Sequence, residues 1–214
     1  MKQKTFPLGD KEIPLKLQPV IEHARCQIMQ NGVRNFTIEK LASDLKISKK
    51  TIYKYFSTKE EFVEKVLLYN FADLFTKVRN LPEHPEDPLK HILMVLNIIL
   101  NHVSVISSSS VYEVKLYYPN VWKQVEEFRQ DLMRNLNDAF MKAQRMGLIR
   151  KNLEMSFITE MIMNIVQTIF QPEFFINYSY SISEMIRMFI DFIMNGLMEK
   201  DKRFDIAMID EIKE

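Results

Sequence analysis

The sequence predicts an all-α protein, and two features of the chain indicate this class. The first is spacing: the apolar residues of the segments described below recur three or four positions apart, as on one face of a helix. The second is the scarcity of strand signals, because no apolar–polar alternation stands out beyond Lys59, and only Gly147 and Gly196 follow it. With 214 residues, 47% of them hydrophobic and 27% charged, the chain can form one or two globular domains.

Residues 1–16 are predicted to form a flexible basic arm that contains Pro7 and Pro14. The beginning of the chain has no apolar run, so no signal peptide is expected. Cys26 is the single cysteine, which rules out an intramolecular disulfide and fits a protein of the reducing cytoplasm. We expect Cys26 to be a small packed apolar residue, because a redox sensor would lack an internal resolving thiol.

A short helix followed by a tight turn is predicted after Phe36. Thr37 is a good N-cap residue, and the apolar stripe that follows it comprises Ile38, Leu41, Ala42 and Leu45. Lys46 and Ile47 break this pattern. Ser48 is a second N-cap candidate and opens a second helix predicted over Lys49–Phe56.

The second helix is predicted to expose a basic, hydroxyl-rich face. Only Ile52 and Phe56 need to point inward, which leaves Lys49, Lys50, Thr51, Tyr53, Lys54 and Tyr55 outside. A helix of about 10–12 Å diameter fits a DNA major groove about 12 Å wide. A solvated charged face is the simpler interpretation, but two large exposed aromatics on one short helix favour contact with a phosphate backbone. Beyond it, residues 57–61 cap the next helix, where free N–H groups and Lys59 are expected to hold a phosphate.

The stretch VIEHARCQIMQNGVRNFTIEKLASDLKISKKTIYKYFSTKEEFVEKVL, residues 20–67, resembles the N-terminal domain of the tetracycline-repressor (TetR) family of bacterial regulators. Matches to the family's first helix and its glycine terminator are Ile21, Ala24, Ile28 and Gly32. The second helix matches at Thr37, Leu41 and Ala42. The recognition helix and the start of the fourth helix match at Ser48, Lys49, Thr51, Ile52, Tyr53, Phe56, Lys59, Glu60 and Glu61. The DNA-binding residues implied are Thr37, Ser48, Lys49, Lys50, Thr51, Tyr53, Lys54, Tyr55 and Lys59.

Two positions depart from the family pattern. Lys46 stands where the family often has a turn glycine, so a non-glycine residue is expected in a left-handed conformation. Lys50 stands where glycine or another small residue is common, and a bulky cation there should alter which bases are read. The fold prediction survives both departures, whereas no known operator sequence can be transferred.

The charge distribution agrees with a DNA-binding N-terminal end. Residues 1–60 hold 12 Lys/Arg and 6 Asp/Glu, a net charge of +6, whereas the remaining 154 residues hold 17 and 22, a net charge of −5. A basic head on a mildly acidic body suits a protein that presents one end to nucleic acid. We predict a DNA-binding domain over residues 17–60 and a helical effector-binding and dimerisation domain over residues 61–214.

The body is predicted to consist of helices joined by short breaks. The expected segments are Thr58–Asn80, Pro88–Ile106, Val111–Tyr117, Pro119–Met146, Met155–Phe170 and Ile182–Lys200. A proline-rich loop, LPEHPEDP, precedes the second of them. The segment Pro88–Ile106 is apolar nearly all round, which is typical of a central buried helix, and it is too short and too interrupted to span a bilayer.

The last two main helices carry more apolar surface than one core requires. In Ile182–Lys200 the polar residues form only a narrow stripe, although a helix that covers its own core needs an apolar face of about 100°. We therefore expect a second copy of the chain as partner, which the family resemblance also implies; a helix wholly inside its own domain is the alternative. The predicted dimerisation residues are Ile158, Ile162, Ile165, Ile169, Met185, Phe189, Phe192 and Ile193.

No catalytic, cofactor or metal motif is recognisable in the chain, so neither an enzyme nor a bound metal is expected. His91 and His102 are eleven residues apart and can share a helix face, but no carboxylate or cysteine lies at ligand spacing. The family resemblance implies a pocket for a small effector in the body. The candidate lining residues are Phe71, Phe75, Met94, Ile98, His102, Tyr112, Leu116 and Trp122, although such residues also fill ordinary cores.

Together these expectations describe a one-component transcriptional regulator. A dimer would bind a near-palindromic double-stranded DNA operator, and a small, mostly apolar effector in the body would release it; the family resemblance favours repression. Two alternatives remain open at this point. One is an architectural DNA-binding protein without an effector, and the other is an all-helical enzyme or ligand carrier in which the N-terminal motif is incidental.

Overall fold

The computed structural model describes residues 15–81 and 87–212, and it confirms the predicted all-α class. Within these residues the regular elements are helices, apart from a single isolated bridge between Ile149 and Met198. A 3₁₀ turn over Leu15–Leu17 precedes α1 (Gln18–Asn31), α2 (Ile38–Asp44), α3 (Lys49–Tyr53), α4 (Lys59–Arg79), α5 (Pro88–Val103), α6 (Ser108–Tyr117), α7 (Pro119–Arg145), α8 (Met155–Ile169), α9 (Pro172–Phe175), α10 (Ile182–Leu197) and α11 (Ala207–Asp210). Most of the predicted arm, part of the proline-rich loop and the side chain of Ile169 lie outside the described part of the chain.

The N-terminal helices share a core with the middle of the chain. Phe36 stacks on Phe62 with ring centroids 5.9 Å apart, and Phe56 meets Phe62 edge-on at 5.0 Å. The same cluster of buried side chains includes Val114 of α6 and Trp122 of α7. The head therefore packs directly on the body, and the predicted domain boundary at residue 60 remains a prediction.

The central helix of the body is α5, as its apolar sequence predicts. It packs against α4, α7, α10 and α11 and buries most of its length. Its buried Asn97 is satisfied, because its amide nitrogen donates to the carbonyl of Ile209 at 2.7 Å and its amide oxygen accepts from Asn101 at 2.9 Å. Among the described residues no single helix has the length and apolar character to cross a membrane; only α5 and α6 together have them, and a bend of 86° separates these two.

Four helix boundaries differ from the sequence-based expectation by three residues, and three of them lie in α3, α5 and α6. The second helix of the motif ends at Tyr53 rather than Phe56, because its last turn tightens and the Tyr55 N–H bonds to the Ile52 carbonyl at 3.0 Å. Helix α5 ends at Val103 rather than at residue 106. Helix α6 begins at Ser108, because the Ser107 hydroxyl caps it by accepting the Ser110 N–H at 3.2 Å.

The end of α10 is set by a contact distant in sequence. The helix was predicted to run to Lys200, but it stops at Leu197, where Met198 becomes extended and pairs with Ile149. The N–H of Arg150 bonds to the Leu197 carbonyl at 3.0 Å, so the connector after α7 takes over from the helical bonds. The short helices α9 and α11 were not predicted, since each has only four residues.

Cys26 is exposed, so the prediction of a packed apolar residue was wrong. Successive residues of a helix are about 100° apart around its axis. In α1 the buried face carries Ala24 and Ile28, and Cys26 lies on the opposite side.

Candidate nucleic-acid interface and ligand cavity

Helix α2 is fixed by its N-cap and by its apolar face. The Thr37 hydroxyl accepts the Lys40 N–H at 3.2 Å, as an N-cap residue does. Ile38 and Leu41 are fully buried in a core cluster to which α1 and α4 also contribute. The predicted start of the motif is therefore confirmed, with Thr37 itself exposed at the surface.

The turn between α2 and α3 places Lys46 in the left-handed region. Its φ is +53°, and Lys46 is the only non-glycine residue with positive φ among the residues described. Its N–H bonds to the Ser43 carbonyl at 3.1 Å, and the next N–H, that of Ile47, bonds to the Ala42 carbonyl at 2.9 Å. The expected left-handed lysine is thus confirmed; such a conformation costs an L-residue roughly 1–2 kcal/mol.

Helix α3 buries one edge and exposes the rest. The Ser48 hydroxyl caps it by accepting the Thr51 N–H at 3.2 Å. Ile52 and Phe56 are buried in the core of the head, as predicted. The residues of the motif that remain exposed are Ser48, Lys49, Lys50, Thr51, Tyr53 and Lys54.

The two lysines at the start of α3 differ in their surroundings. The ammonium group of Lys49 lies 2.8 Å from a carboxylate oxygen of Glu39, and both side chains are exposed. Their hydrogen bond raises the pKa of Lys49 and lowers that of Glu39. The structure shows no such partner for Lys50 within the described chain, so Lys50 is the cation that α3 presents without an ion pair.

The predicted phosphate contacts lie at the margin of the motif. Tyr55 is half-buried, and Lys16 lies 5.3 Å from its ring centroid; the hydrogen bond from Lys16 lowers the pKa of the Tyr55 hydroxyl. Lys59 lies 6.0 Å from the ring of Phe36 at the start of α4. That helix end is less free than expected, because the carboxylate of Glu61 accepts the Ser57 N–H at 2.6 Å.

This arrangement of α1 to α4 corresponds to a known family. Residues 20–66 match the family model described as "Bacterial regulatory proteins, tetR family". The chain is also 22% identical over 171 residues to YvaF of Bacillus subtilis, an HTH-type transcriptional regulator, covering 79% of this chain and 89% of YvaF. A TetR-family regulator from Marinobacter aquaeolei VT8 has a similar structure, with a TM-score of 0.66, 15% identity, and coverage of 90% of this chain and 96% of that one. The ketosteroid transcriptional regulator KstR2 of Mycobacterium tuberculosis gives a TM-score of 0.56 at 15% identity, covering 88% and 98%.

The N-terminal head of the chain is a DNA-binding domain of the tetR family of bacterial regulators. The family model covers the helix-turn-helix, so the function class predicted from the motif, a DNA-binding regulator, is confirmed at that level. The three relatives named above are all described as transcriptional regulators.

The body contains an apolar cavity of about 240 Å³, which is enclosed by α1 and by the helices from α4 to α10. Pockets for small ligands typically measure about 300–1,000 Å³, so this one suits a compact molecule. Its walls are almost entirely hydrocarbon. The side chains with polar atoms that line it are His102, Ser110, Trp122 and Arg129.

Three of the eight candidate effector residues line this cavity: Phe71, His102 and Trp122. The amide nitrogen of Asn70 lies 3.2 Å from Nε2 of His102 and therefore donates to it. Burial, together with the positive charge of Arg25, lowers the pKa of His102 to about 4. His102 is therefore a neutral wall of the cavity at physiological pH.

The other five candidates lie elsewhere. Phe75 and Ile98 pack together in a small cluster beside the cavity, and Met94 is buried outside its lining. Tyr112 and Leu116 are exposed on α6. A spacing of four residues places these two on one face of α6, and that face points to solvent rather than to the cavity.

Arg129 is a lining residue that the sequence-based reasoning did not select. Its guanidinium carbon lies 5.1 Å from the Trp122 ring centroid, and its Nη1 atom is shielded from solvent without a hydrogen-bond partner. Burial lowers the pKa of Arg129 to about 10. A single arginine in a long amphipathic helix looks like a surface residue, so the sequence offers no signal for this placement.

The cavity wall also contacts the DNA-binding head through α6. The hydroxyl of Ser110, which lines the cavity, shares its one proton between the carbonyls of Ile28 and Met29 in α1, at 3.0 and 2.8 Å. The carboxylate of Glu113 accepts the Arg34 N–H at 2.9 Å, just beyond the end of α1. These contacts were not expected from the sequence, because they join residues about 80 positions apart.

The residues proposed for dimerisation fall into three groups. Ile162 and Met185 are buried in the core of their own chain, and Ile162 also lines the cavity, as do the half-buried Phe189 and Ile193. Ile158 and Ile165 are half-buried, while Phe192 is 74% exposed. Three further large apolar side chains on these two helices are exposed and were not selected: Phe157, Met161 and Met188.

Proposed function

We propose that this regulator is a repressor that binds a near-palindromic operator as a homodimer and is released by a small, mostly apolar effector. The DNA-binding part of the proposal is carried by helix α3. Its outer face exposes cations and hydroxyls, while Ile52 and Phe56 anchor the helix in the core of the head. The dimer and the effector are supported by the apolar surface of α8 and α10 and by the cavity of the body.

In the proposed complex α3 lies in the major groove with its N-terminal residues at the base edges. Lys50 is the leading base-reading cation, because lysine donates to guanine O6 and N7 and this one has no ion pair in the described structure. Thr51 and Tyr53 flank it. Lys49 contacts a base only when its ion pair with Glu39 is exchanged for a contact with DNA. Lys59 contacts a phosphate.

A second copy of the chain is the proposed cover for α8 and α10. Phe192 is 74% and Phe157 64% exposed, and such large apolar side chains at a surface mark contact sites when they cluster. A two-fold axis through these helices would place one recognition helix on each side. The operator would then be an inverted repeat, with half-sites about one helical turn (34–36 Å) apart or a multiple of it.

The proposed release of DNA uses the contacts between the cavity and α1. A ligand that displaces α6 would move Ser110, whose hydroxyl holds two carbonyls at the end of α1. Helix α4 offers a parallel route, since it begins beside the recognition helix and carries Phe71 in the cavity wall. Because coupling is reciprocal, an effector that weakens DNA binding must itself bind the DNA complex less tightly.

The test begins with an operator selected from random DNA by the wild-type protein. Lys50→Ala should weaken binding by about 1–3 kcal/mol per lost base contact and relax the preference at one position of each half-site. Glu39→Ala, which frees Lys49, should leave the preference intact and not weaken binding. Lys151→Ala, an exposed lysine in the connector before α8, is the matched control for a simple loss of charge. Unchanged base preference in both Lys50→Ala and the Lys49/Lys50 double alanine variant would contradict the proposal.

A further inference from the structure

The cavity of the body is lined almost entirely by hydrocarbon, and one cation, the partly buried Arg129, lies among its lining residues. The cavity has a volume of about 240 Å³, and its walls are formed mostly by apolar side chains of α1 and of α4 to α10. Arg129 is the one permanently charged residue among the lining residues described, because His102 is kept neutral by burial. A guanidinium group in such a place needs a reason, since burying a charge without a partner is strongly unfavourable.

The protein itself leaves part of this guanidinium unsatisfied. Its Nη1 atom is inaccessible to solvent and has no hydrogen-bond partner among the described residues. Glu126, one turn earlier, attracts the charge, but its carboxylate accepts the Trp122 indole N–H at 2.9 Å instead. The Trp122 ring stacks near the guanidinium at 5.1 Å and steadies its position.

Building on the effector proposed above, we infer that the effector is a monocarboxylic acid with an apolar body, whose carboxylate pairs with Arg129. One guanidinium in the lining matches one negative charge, and its planar fork of N–H groups matches the two oxygens of a carboxylate. The rest of the cavity then accepts the hydrocarbon part. At about 30 Å³ for each water-sized group, the cavity holds roughly eight such groups. A chain of about eight carbons, or a phenyl ring with a short acidic arm, is therefore the size expected.

Matched pairs of small molecules test this inference in the full-length protein. Octanoate is compared with octan-1-ol, and 3-phenylpropanoate with 3-phenylpropan-1-ol, so each pair differs only at the head group. Binding is followed by the fluorescence of Trp122, the single tryptophan of the chain, and by calorimetry. The acids should bind the wild type about 10–100-fold more tightly than the alcohols, as expected for hydrogen bonds to a charged group.

The variant Arg129→Met should abolish this preference, leaving each acid no better bound than its alcohol, while the alcohols bind as well as before or better. Without ligand, Arg129→Met should also melt at a higher temperature than the wild type, because an unsatisfied buried charge has been replaced by a side chain of similar volume. Arg129→Lys, which retains the charge but not the fork, should keep part of the preference for acids. Equal binding of acid and alcohol to the wild type, or no binding of either acid, would overturn the inference.

The DNA assay separates this inference from the function on which it rests. Acids that bind through Arg129 but leave the affinity for the selected operator unchanged would support the ligand class and contradict the regulatory coupling. Alcohols that release the operator as well as the acids do would support the regulator and overturn the assignment of an acid. If both the ligand class and the regulatory function are correct, octanoate should release the operator from the wild type but not from Arg129→Met.

Discussion

The stability of this protein should fall in mild acid because of His102. In the folded state its pKa is lowered to about 4, against an ordinary value of 6.5, because burial disfavours the charged imidazole. Between these two values the unfolded chain binds a proton that the folded chain does not bind. The free energy of unfolding is therefore unaffected by His102 above pH 6.5, decreases as the pH falls towards 4, and changes no further below that value.

The size of this effect follows from the two pKa values. One pKa unit corresponds to about 1.36 kcal/mol, so the whole shift amounts to about 3 kcal/mol below pH 4. At pH 5 the loss attributable to His102 should be about 2 kcal/mol. That is a sizeable part of the roughly 5–15 kcal/mol by which folded proteins are typically stable.

The assay compares the wild type with His102→Gln in urea at pH 7 and pH 5. Glutamine does not titrate, and its amide oxygen can accept the hydrogen bond that Asn70 donates to Nε2. The carboxylates and other histidines titrate in both proteins and cancel in the difference. The wild type should lose about 2 kcal/mol more than the variant between the two pH values. Equal losses, or a wild type that gains stability relative to the variant in acid, would refute the reasoning.

Three further outcomes are expected. Lys46→Gly should stabilise the head by up to about 1 kcal/mol in urea unfolding, because relief at φ +53° exceeds the entropy that glycine adds to the unfolded chain; a loss of stability would contradict this. Gly32→Ala should destabilise by about 1–3 kcal/mol, since Gly32 has φ +85° and an added Cβ would lie 2.6 Å from a Glu113 carboxylate oxygen; in a Glu113→Ala background the penalty should shrink but not vanish. Phe192→Asp should give monomers by sedimentation at micromolar concentration, and an unchanged dimer, or a monomeric wild type, would count against the proposed interface.

The resemblance and the helix signals in the sequence predicted much of the DNA-binding head, because those signals are local. Thr37 and Ser48 cap the residues immediately after them, and the four-residue spacing of Ile52 and Phe56 defines which side of α3 is buried. The left-handed Lys46 was likewise expected from its place in the turn. What the motif did not reveal was that Glu39, ten residues before Lys49, forms an ion pair with it, whereas Lys50 has no ion pair within residues 15–81 and 87–212.

The cavity could be anticipated only in kind. Many apolar and aromatic side chains predicted a pocket in the body, and three candidate residues do line the cavity, but Tyr112 and Leu116 face solvent. Helical periodicity determines which residues share a face, whereas it does not determine what that face meets. The same uncertainty affected α10, on which Phe189 lines the cavity and Phe192 is exposed.

The sequence by itself determined the all-α class, the helix-turn-helix and the faces of the helices, since these depend on caps and spacings within about ten residues. Only the tertiary structure decided that Arg129 faces the cavity and that its Nη1 atom has no partner. It also decided that Ser110 bonds to the end of α1. The physical reason is that the burial and charge environment of a side chain depend on segments far along the chain, which come together only when the helices pack.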